Sequence, residues 1–168
     1  MKVLRTAVIL GTRPEIIKMA PILRALRKSR ADFFVLHTGQ HYSRNMNRVF
    51  FENLNLASPD FNLEVGSGSH AEETGKMLVG IEKVLMSEQA TGALVEGDTN
   101  SVLAGALAAA KLHSRVGHVE AGLRSFDRTM PEERVATARP ASTAAATNRS
   151  RATARKNDTI SNSAKGSV

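Results

Sequence analysis

A short turn containing both glycine and arginine, placed directly after an apolar run, constrains the fold of this chain most. The run AVIL at residues 7–10 predicts a strand, and GTRPE at residues 11–15 predicts a turn followed by a helix start. Thr12 and Glu15 have the spacing of a capping box at that helix start. A strand, a glycine turn and a helix in this order are typical of α/β domains that bind nucleotides beyond the carboxyl ends of parallel strands.

The residues of this turn also indicate the class of ligand. Their glycine spacing matches neither the dinucleotide fingerprint G-x-G-x-x-G nor the P-loop G-x-x-x-x-G-K-[ST]. Arg13 stands in the turn instead, and arginine binds anions through the charge of its side chain. The turn therefore predicts an anionic ligand held by a side chain rather than by a bare glycine loop.

Predicted strands and helices alternate through residues 1–135. The strands are predicted at residues 3–10, 33–37, 93–96 and 116–119, and the helices at residues 14–27, 43–54, 70–86 and 99–113, with a loop at residues 57–69. This alternation predicts an α/β fold with a parallel sheet and helices on both of its faces. In the helix at residues 99–113, Gly105 and the neighbouring alanines are expected to permit a close approach to the sheet.

The composition changes abruptly near Val135. From residue 136 to residue 168 the chain consists mainly of Ala, Ser, Thr, Asn and Arg, and its large apolar residues are Ile160 and Val168. Such a segment cannot bury enough apolar surface to offset the loss of chain entropy. Residues 136–168 are therefore predicted to be a disordered, low-complexity basic tail, either as an ordinary flexible segment or as sequence translated after the reading frame was lost.

The net charge of +7 belongs mostly to this tail. Residues 1–135 hold 17 Lys and Arg against 15 Asp and Glu, whereas residues 136–168 hold six basic residues against Asp158 alone. Nucleic acid is the weaker interpretation of this charge, because Tyr42 is the only tyrosine and tryptophan is absent. Few aromatic rings are then available to stack on bases.

Several classes of protein are excluded or disfavoured by the sequence. No stretch reaches the ~18 apolar residues of a membrane span, and the apolar run near the N-terminus is shorter than that of a signal peptide. A cytoplasmic location without membrane contact is therefore expected. The absence of cysteine excludes disulfides and thiolate metal sites, and no His, Asp or Glu group has a convincing metal spacing, so no metal is expected.

Three polar clusters fall just after predicted strands. They are TRPE at residues 12–15, GDTN at residues 97–100 and EAGLR at residues 120–124, and PEE at residues 131–133 follows them. Because the carboxyl ends of parallel strands meet at one edge of a sheet, these clusters are expected to face one cleft. Arg13, Lys18 and several carboxylates would then lie close together, which suits acid/base chemistry on a phosphate-bearing substrate.

Each candidate also has a purely structural explanation. Asp98 is about as compatible with capping the following helix as with catalysis, and Lys18 taken alone is better explained as a solvated helix lysine. His118 is more often a satisfied core histidine than a ligand, and His41 fits a capped loop. Glu120 is harder to explain in this way, because it directly follows a strand that should be buried, where a carboxylate needs a partner or a function.

Taken together, residues 1–135 closely resemble the non-hydrolysing UDP-N-acetylglucosamine 2-epimerases. The matching stretches are GTRPEIIKMAPI, HTGQHYSRNM, GSGSHAEETGKML, EGDTNSVLAGALAA, GHVEAGLRSFDR and MPEE. The resemblance implies a Rossmann-like domain, the N-terminal half of a GT-B-type enzyme that closes over a nucleotide sugar. It implies interconversion of UDP-N-acetylglucosamine and UDP-N-acetylmannosamine by elimination and re-addition of UDP, without a metal or nicotinamide cofactor, and a homodimer.

The resemblance also implies roles for particular residues. Substrate binding falls to Arg13 and Lys18, acid/base catalysis to Asp98, Glu120 and Glu132, and a possible effector site to Gln40 and His41. After Pro-Glu-Glu the family continues with a helix that begins Ile-Asn-Arg or similar, whereas this chain has Arg134, Val135 and then the tail. The C-terminal UDP-binding domain is thus not in this sequence. This departure favours loss of the reading frame near Val135, and the isolated chain is expected to be inactive alone. The alternative is a non-catalytic module that binds a nucleotide sugar, or a half-enzyme that needs a C-terminal partner.

Overall fold

The computed structural model describes residues 4–39, 44–122, 125–127, 129–138 and 143–146 of the 168-residue chain. Within them, six strands alternate with five helices. The strands are β1 (Thr6–Leu10), β2 (Phe33–His37), β3 (Phe61–Asn62), β4 (Gly92–Glu96), β5 (Arg115–Val119) and β6 (Thr143–Ala146). The helices are α1 (Arg13–Lys28), α2 (Arg44–Asn53), α3 (His70–Ser87), α4 (Asn100–Lys111) and α5 (Pro131–Ala138).

All strand pairs are parallel, and the order in the sheet is β3-β2-β1-β4-β5-β6. This is the order of the Rossmann fold, in which the chain direction across the sheet reverses between β1 and β4. The predicted α/β fold with a Rossmann-like parallel sheet is therefore confirmed. Ligands of such sheets bind at the carboxyl edge, beside the reversal point, which here lies between the turns after β1 and β4.

Helices cover both faces of the sheet, as predicted. Successive side chains of β1 point to opposite faces, so Ala7 and Ile9 join one core cluster and Val8 and Leu10 join the other. The first cluster contains the buried side chains of α3 and α4, and the second contains those of α1 together with Phe51 of α2. β1 is consequently buried from both sides, as expected for the central strand of a parallel sheet.

The approach of α4 to the sheet depends on Gly105. A Cβ atom on this residue would lie 3.0 Å from Cδ1 of Ile9 and 3.1 Å from Cγ1 of Val95. These separations are shorter than ordinary van der Waals contacts between carbon atoms. The predicted role of Gly105 in close helix–sheet packing is therefore consistent with the structure.

We expect Gly105→Val to lower the free energy of unfolding by about 1–3 kcal/mol, because added methyl groups over-pack this contact. Urea unfolding followed by circular dichroism measures the change. Gly75→Val on α3 is the matched control, since a Cβ at Gly75 would meet nothing within 4 Å and glycine and valine differ by only about 0.5 kcal/mol in helix propensity. Equal losses in the two variants would contradict the packing argument.

Two strands and one helix lie where the sequence predicted none. β3 falls inside the predicted loop at residues 57–69, and it is only two residues long, too short to produce an alternating pattern. α5 ends at Ala138 and β6 lies at Thr143–Ala146, so the prediction of disorder is wrong for these residues of the 136–168 segment. β6 pairs with the edge of β5 through backbone groups, and backbone pairing needs little from the side chains of a TAAA sequence.

Candidate active site

Three tight turns follow β1, β4 and β5 at the carboxyl edge of the sheet. Gly97, after β4, has φ +87°, and Glu120, after β5, has φ +63°. The left-handed conformation costs a non-glycine residue roughly 1–2 kcal/mol, and such strain persists where the surrounding structure holds it. Glu120 is therefore held in an unfavourable backbone conformation at the edge where Rossmann-like sheets bind ligands.

Lys18 joins two glutamates at this edge. Its Nζ lies 2.6 Å from Oε2 of Glu120 and 3.1 Å from Oε1 of Glu96, the last residue of β4. Glu96 is only 1% exposed, whereas the side chains of Glu120 and Lys18 are 35% and 47% exposed. The structure therefore brings together two of the predicted site residues, Lys18 and Glu120, and adds a third group that the sequence analysis did not single out.

The two glutamates carry at most two negative charges and Lys18 carries one positive charge. The pKa value of each group is shifted by burial and by its neighbours in the cluster. Burial, followed by the hydrogen bond with Glu120, raises the pKa of Glu96 to about 7. The hydrogen bond from Lys18 lowers the pKa of Glu120, and the bond to Glu120 raises the pKa of Lys18. At neutral pH the exposed end of this cluster thus holds an ammonium group and a carboxylate, beside a carboxyl that is partly protonated.

Glu15 fixes the turn after β1 to the turn after β4. Its buried carboxylate accepts hydrogen bonds from the backbone N–H groups of Gly11 and Thr12, and from the hydroxyl of Thr99 at 2.6 Å. The predicted capping box of Thr12 and Glu15 is present, and burial raises the pKa of Glu15. Sequence reasoning found the cap but missed the bond to Thr99, which spans the reversal point of the sheet.

Arg13 is the first residue of α1, and its guanidinium lies over the ring of Phe50 on α2, with Cζ 5.3 Å from the ring centroid. This cation–π contact holds a positive charge at the N-terminal end of a helix, where the backbone N–H groups also favour anions. The predicted anion-binding residue is therefore placed at the carboxyl edge of the sheet, with its planar group held by an aromatic ring.

The other predicted acidic residues lie on neighbouring turns. Asp98 is exposed between β4 and α4, and the N-cap of α4 is Thr99, whose hydroxyl accepts the N–H of Val102. The alternative role of Asp98 as the helix cap is therefore wrong. Glu132 is half-buried in the first turn of α5, whereas its neighbour Glu133 is buried and accepts the backbone N–H groups at residues 125 and 126.

Of the remaining candidates, His118 has a structural role. His118 is buried, and its Nε2 donates a hydrogen bond of 2.7 Å to the carbonyl oxygen of Gly97. This contact fixes the turn after β4, in agreement with a core histidine. Gln40 and His41, the possible effector-binding residues, lie outside the described residues.

Glu96 was missed although its position carries the same signal as that of Glu120. Both glutamates stand where a buried strand ends, and a buried carboxylate needs a partner or a function.

Within the described parts of the chain, no group of three or more His, Asp or Glu residues is arranged to hold a metal ion. No helix among the same residues is long and apolar enough to cross a membrane.

The raised pKa of Glu96 predicts a pH-dependent stability difference. Its pKa is about 7 in the folded chain and near 4.5 when exposed, so between these values the folded state holds a proton that the unfolded state releases. Stability from this group is therefore complete below about pH 4.5 and is lost as the pH rises to about 7. We expect Glu96→Gln to gain about 2–4 kcal/mol relative to the parent chain across this interval.

Urea unfolding of both proteins at several pH values measures this difference. Subtraction removes the titrations that the two proteins share and leaves the contribution of Glu96 together with that of its coupled partner Glu120. A stability difference that does not change with pH would contradict the prediction.

Comparisons with known proteins agree with this fold. The chain is 62% identical over 130 residues to a UDP-N-acetylglucosamine 2-epimerase of Methanocaldococcus jannaschii, covering 77% of this chain and 36% of that protein. It is 48% identical over 126 residues to a UDP-2,3-diacetamido-2,3-dideoxy-D-glucuronate 2-epimerase of Pseudomonas aeruginosa, covering 74% of this chain and 36% of that one. The chain thus spans about a third of the length of these curated relatives.

A solved structure is similar over the same region. The crystal structure of the M. jannaschii UDP-GlcNAc 2-epimerase in complex with UDP-GlcNAc and UDP superposes with a TM-score of 0.76 and 57% identity, over 81% of this chain and 39% of that one. The family model for UDP-N-acetylglucosamine 2-epimerase matches residues 24–161, which include Glu96, Asp98 and Glu120. The chain therefore belongs to the UDP-N-acetylglucosamine 2-epimerase family.

Proposed function

We propose that this chain supplies the N-terminal half of an active site that interconverts UDP-N-acetylglucosamine and UDP-N-acetylmannosamine. The observation that carries the proposal is the contact of Lys18 with Glu120 at the carboxyl edge of a Rossmann-like sheet, the edge where Arg13 begins α1. A cation paired with an ionised carboxylate in a ligand-binding edge provides both a proton acceptor and a counter-charge for a diphosphate. The relatives named above are sugar-nucleotide 2-epimerases.

The chemistry of the sugar explains why such groups are needed. The hydrogen on C2 is not next to a carbonyl group, so a base alone removes it with difficulty. In the proposed reaction the C2–H bond and the C1–O bond to UDP both break, the C–H electron pair forms a C1=C2 double bond, and UDP leaves with the C–O pair. Re-addition of UDP at C1, with a proton delivered to the opposite face of C2, gives the epimer.

Inversion at C2 requires proton transfer on two faces of the sugar ring. We assign these transfers to Glu120 and Asp98, which lie on separate turns after β5 and β4, and give Glu132 a supporting acidic role. Arg13 and Lys18 are assigned to the departing diphosphate, because guanidinium and ammonium groups stabilise phosphate oxygens as charge develops on them. The N-terminal ends of α1 and α4 at the same edge add further N–H donors.

The test is a chimera in which residues 1–135 replace the matching segment of the M. jannaschii epimerase, because the two segments are so similar. We expect the chimera to convert UDP-N-acetylglucosamine and to incorporate solvent deuterium at C2 during turnover in D₂O. Addition of the C-terminal remainder in trans to the 168-residue chain tests whether two separate chains form the site. A folded chimera that neither converts the sugar nor exchanges the C2 hydrogen would overturn the proposal.

The sugar specificity is part of the same test. The P. aeruginosa relative is named for a UDP-sugar with an acetamido group at C3 and a carboxylate at C6, and it is less similar to this chain than the M. jannaschii protein is. We therefore expect the chimera to prefer UDP-N-acetylglucosamine when both nucleotide sugars are offered. If the chimera prefers the uronate, the proposed reaction type stands but the proposed substrate is wrong.

Other expectations from the sequence remain proposals. Gln40 and His41 are proposed to contact an activating nucleotide sugar, the intact enzyme is proposed to be a cytoplasmic homodimer, and residues after Ala146 are proposed to form a basic tail. Sedimentation velocity measures the oligomeric state, and limited trypsin digestion measures exposure of the tail. An undigested tail would contradict the last of these expectations.

A further inference from the structure

We propose that Glu96 is a positioning residue for Glu120: its buried carboxyl donates a hydrogen bond to the Glu120 carboxylate and, together with Lys18, fixes the orientation and the charge of that carboxylate. The inference rests on the proposed function only in treating Glu120 as a group that handles protons. Glu96 itself lies beneath the exposed groups of the edge, so it acts through Glu120.

The sheet register places the two glutamates side by side. Glu96 is paired with Val119 across β4 and β5, so Glu120 is the residue that directly follows the partner of Glu96. Their side chains share Lys18, whose Nζ is 3.1 Å from Glu96 and 2.6 Å from Glu120. One ammonium group therefore contacts both carboxyl groups and holds them at the same point of the edge.

The count of charges determines which glutamate holds a proton. A second carboxylate without its own cation is costly in a buried position, because burial disfavours the charged form. Glu96 is 1% exposed, whereas about a third of the Glu120 side chain reaches solvent. The proton therefore resides on Glu96, and a protonated carboxyl can donate the hydrogen bond that the ionised Glu120 accepts.

The groups that surround this pair support the same assignment. Lys18 from α1 is the cation that faces both glutamates, and His118 from β5 also favours the ionised form of Glu120. The pKa of Glu96 is raised to about 7 by burial and by the bond with Glu120, whereas the pKa of Glu120 is lowered by Lys18 and by the bond from Glu96. The two carboxyl groups are thus coupled and titrate as a pair.

The strained turn at Glu120 explains why a second contact is useful. The residue has φ +63°, and a side chain that extends from a strained and partly exposed turn needs partners to hold one orientation. Lys18 alone supplies a flexible contact, since its side chain is 47% exposed. Glu96 supplies a contact from a buried strand end, which is a rigid part of the sheet.

The experiment is a pH titration of the 168-residue chain labelled with ¹³C at the glutamate carboxyl carbons, followed by NMR from about pH 2 to about pH 9. Single substitutions assign the Glu96 and Glu120 signals. We expect the Glu120 signal of the parent chain to move in two steps, one below the ordinary glutamate pKa and a second when Glu96 loses its proton. Glu96→Gln should abolish the second step, because its amide does not titrate.

Glu82→Gln is the matched control, because Glu82 lies exposed on α3, and both steps should remain in that variant. A Glu120 signal that moves in one step in the parent chain would overturn the proposal, even if Glu96→Gln does not fold. A second step that persists in a folded Glu96→Gln chain would also overturn it. Because no substrate is present, these outcomes are independent of the chimera assay, which alone tests the epimerase activity.

Discussion

Glu120→Gln in the chimeric epimerase is expected to lower kcat by about 10²–10⁴-fold, which is the usual contribution of a positioned general acid or base. Glutamine keeps the size of the side chain and a hydrogen-bonding oxygen, but it cannot accept a proton from C2. Because Arg13 and Lys18 remain, the KM for the nucleotide sugar should change much less than kcat. Steady-state kinetics, together with deuterium incorporation at C2 in D₂O, measure the two effects.

Glu88→Gln is the control for this substitution. Glu88 is half-buried and forms an ion pair with Arg5, which precedes β1 at the opposite end of the sheet from the candidate site, so its loss can affect stability but does not touch the site. This variant should keep the parent kcat. A Glu120→Gln chimera that turns over as fast as the Glu88→Gln chimera would show that Glu120 does not transfer the proton.

The site residues that sequence reasoning found share a local signal. Arg13 and Glu120 each stand next to the end of an apolar run, and a charged residue in that position is unusual enough to be noticed without a structure. The parallel-sheet prediction then placed their turns at one edge, and the structure agrees. Lys18 was less conspicuous by itself, because its contact with Glu120 joins helix α1 to a turn that is distant in the sequence.

The partners of Glu96 and Thr99 could not be predicted in the same way, although Glu96 also stands at the end of an apolar run. The role of Glu96 depends on the register of β4 against β5 and on the reach of Lys18 from α1, and neither follows from the pattern of one segment. The bond from Thr99 to Glu15 depends on β1 and β4 being neighbours in the sheet. Alternation predicts that strands are parallel, but it does not predict which strands pair.

β6 shows a different limit of prediction. Hydrophobic patterns in a sequence reflect the burial of side chains. This strand has the sequence TAAA, and it joins the sheet through backbone pairing with β5. A composition-based argument for disorder counts only the apolar surface that a segment can bury. It therefore cannot detect a short strand that pairs with a sheet edge already built by the rest of the chain.

Gly11→Ala is expected to be strongly destabilising, because an added Cβ meets a closer contact here than at the other glycines in the described part of this chain. A Cβ at residue 11 would lie 1.9 Å from Oγ and 2.8 Å from Cβ of Ser101, and 2.7 Å from Oγ1 of Thr38. These two hydroxyl groups are buried and hydrogen-bonded to each other at 2.8 Å, so neither can move without losing its partner. We expect a loss of about 3 kcal/mol or more, at the upper end of over-packing effects.

A double-mutant cycle separates this clash from a general effect of alanine on the turn. Ser101→Gly removes both atoms of Ser101 that the new methyl group would meet, so Gly11→Ala should cost at least about 1 kcal/mol less in that background. Urea unfolding of the parent, the two single variants and the double variant measures the coupling. If Gly11→Ala costs the same in both backgrounds, the contact with Ser101 of α4 is not what requires glycine at this position. The conformation of the turn before Arg13 would then not depend on packing against α4. The hydrogen bond between Glu15 and Thr99 would be the contact that connects this turn to the start of α4.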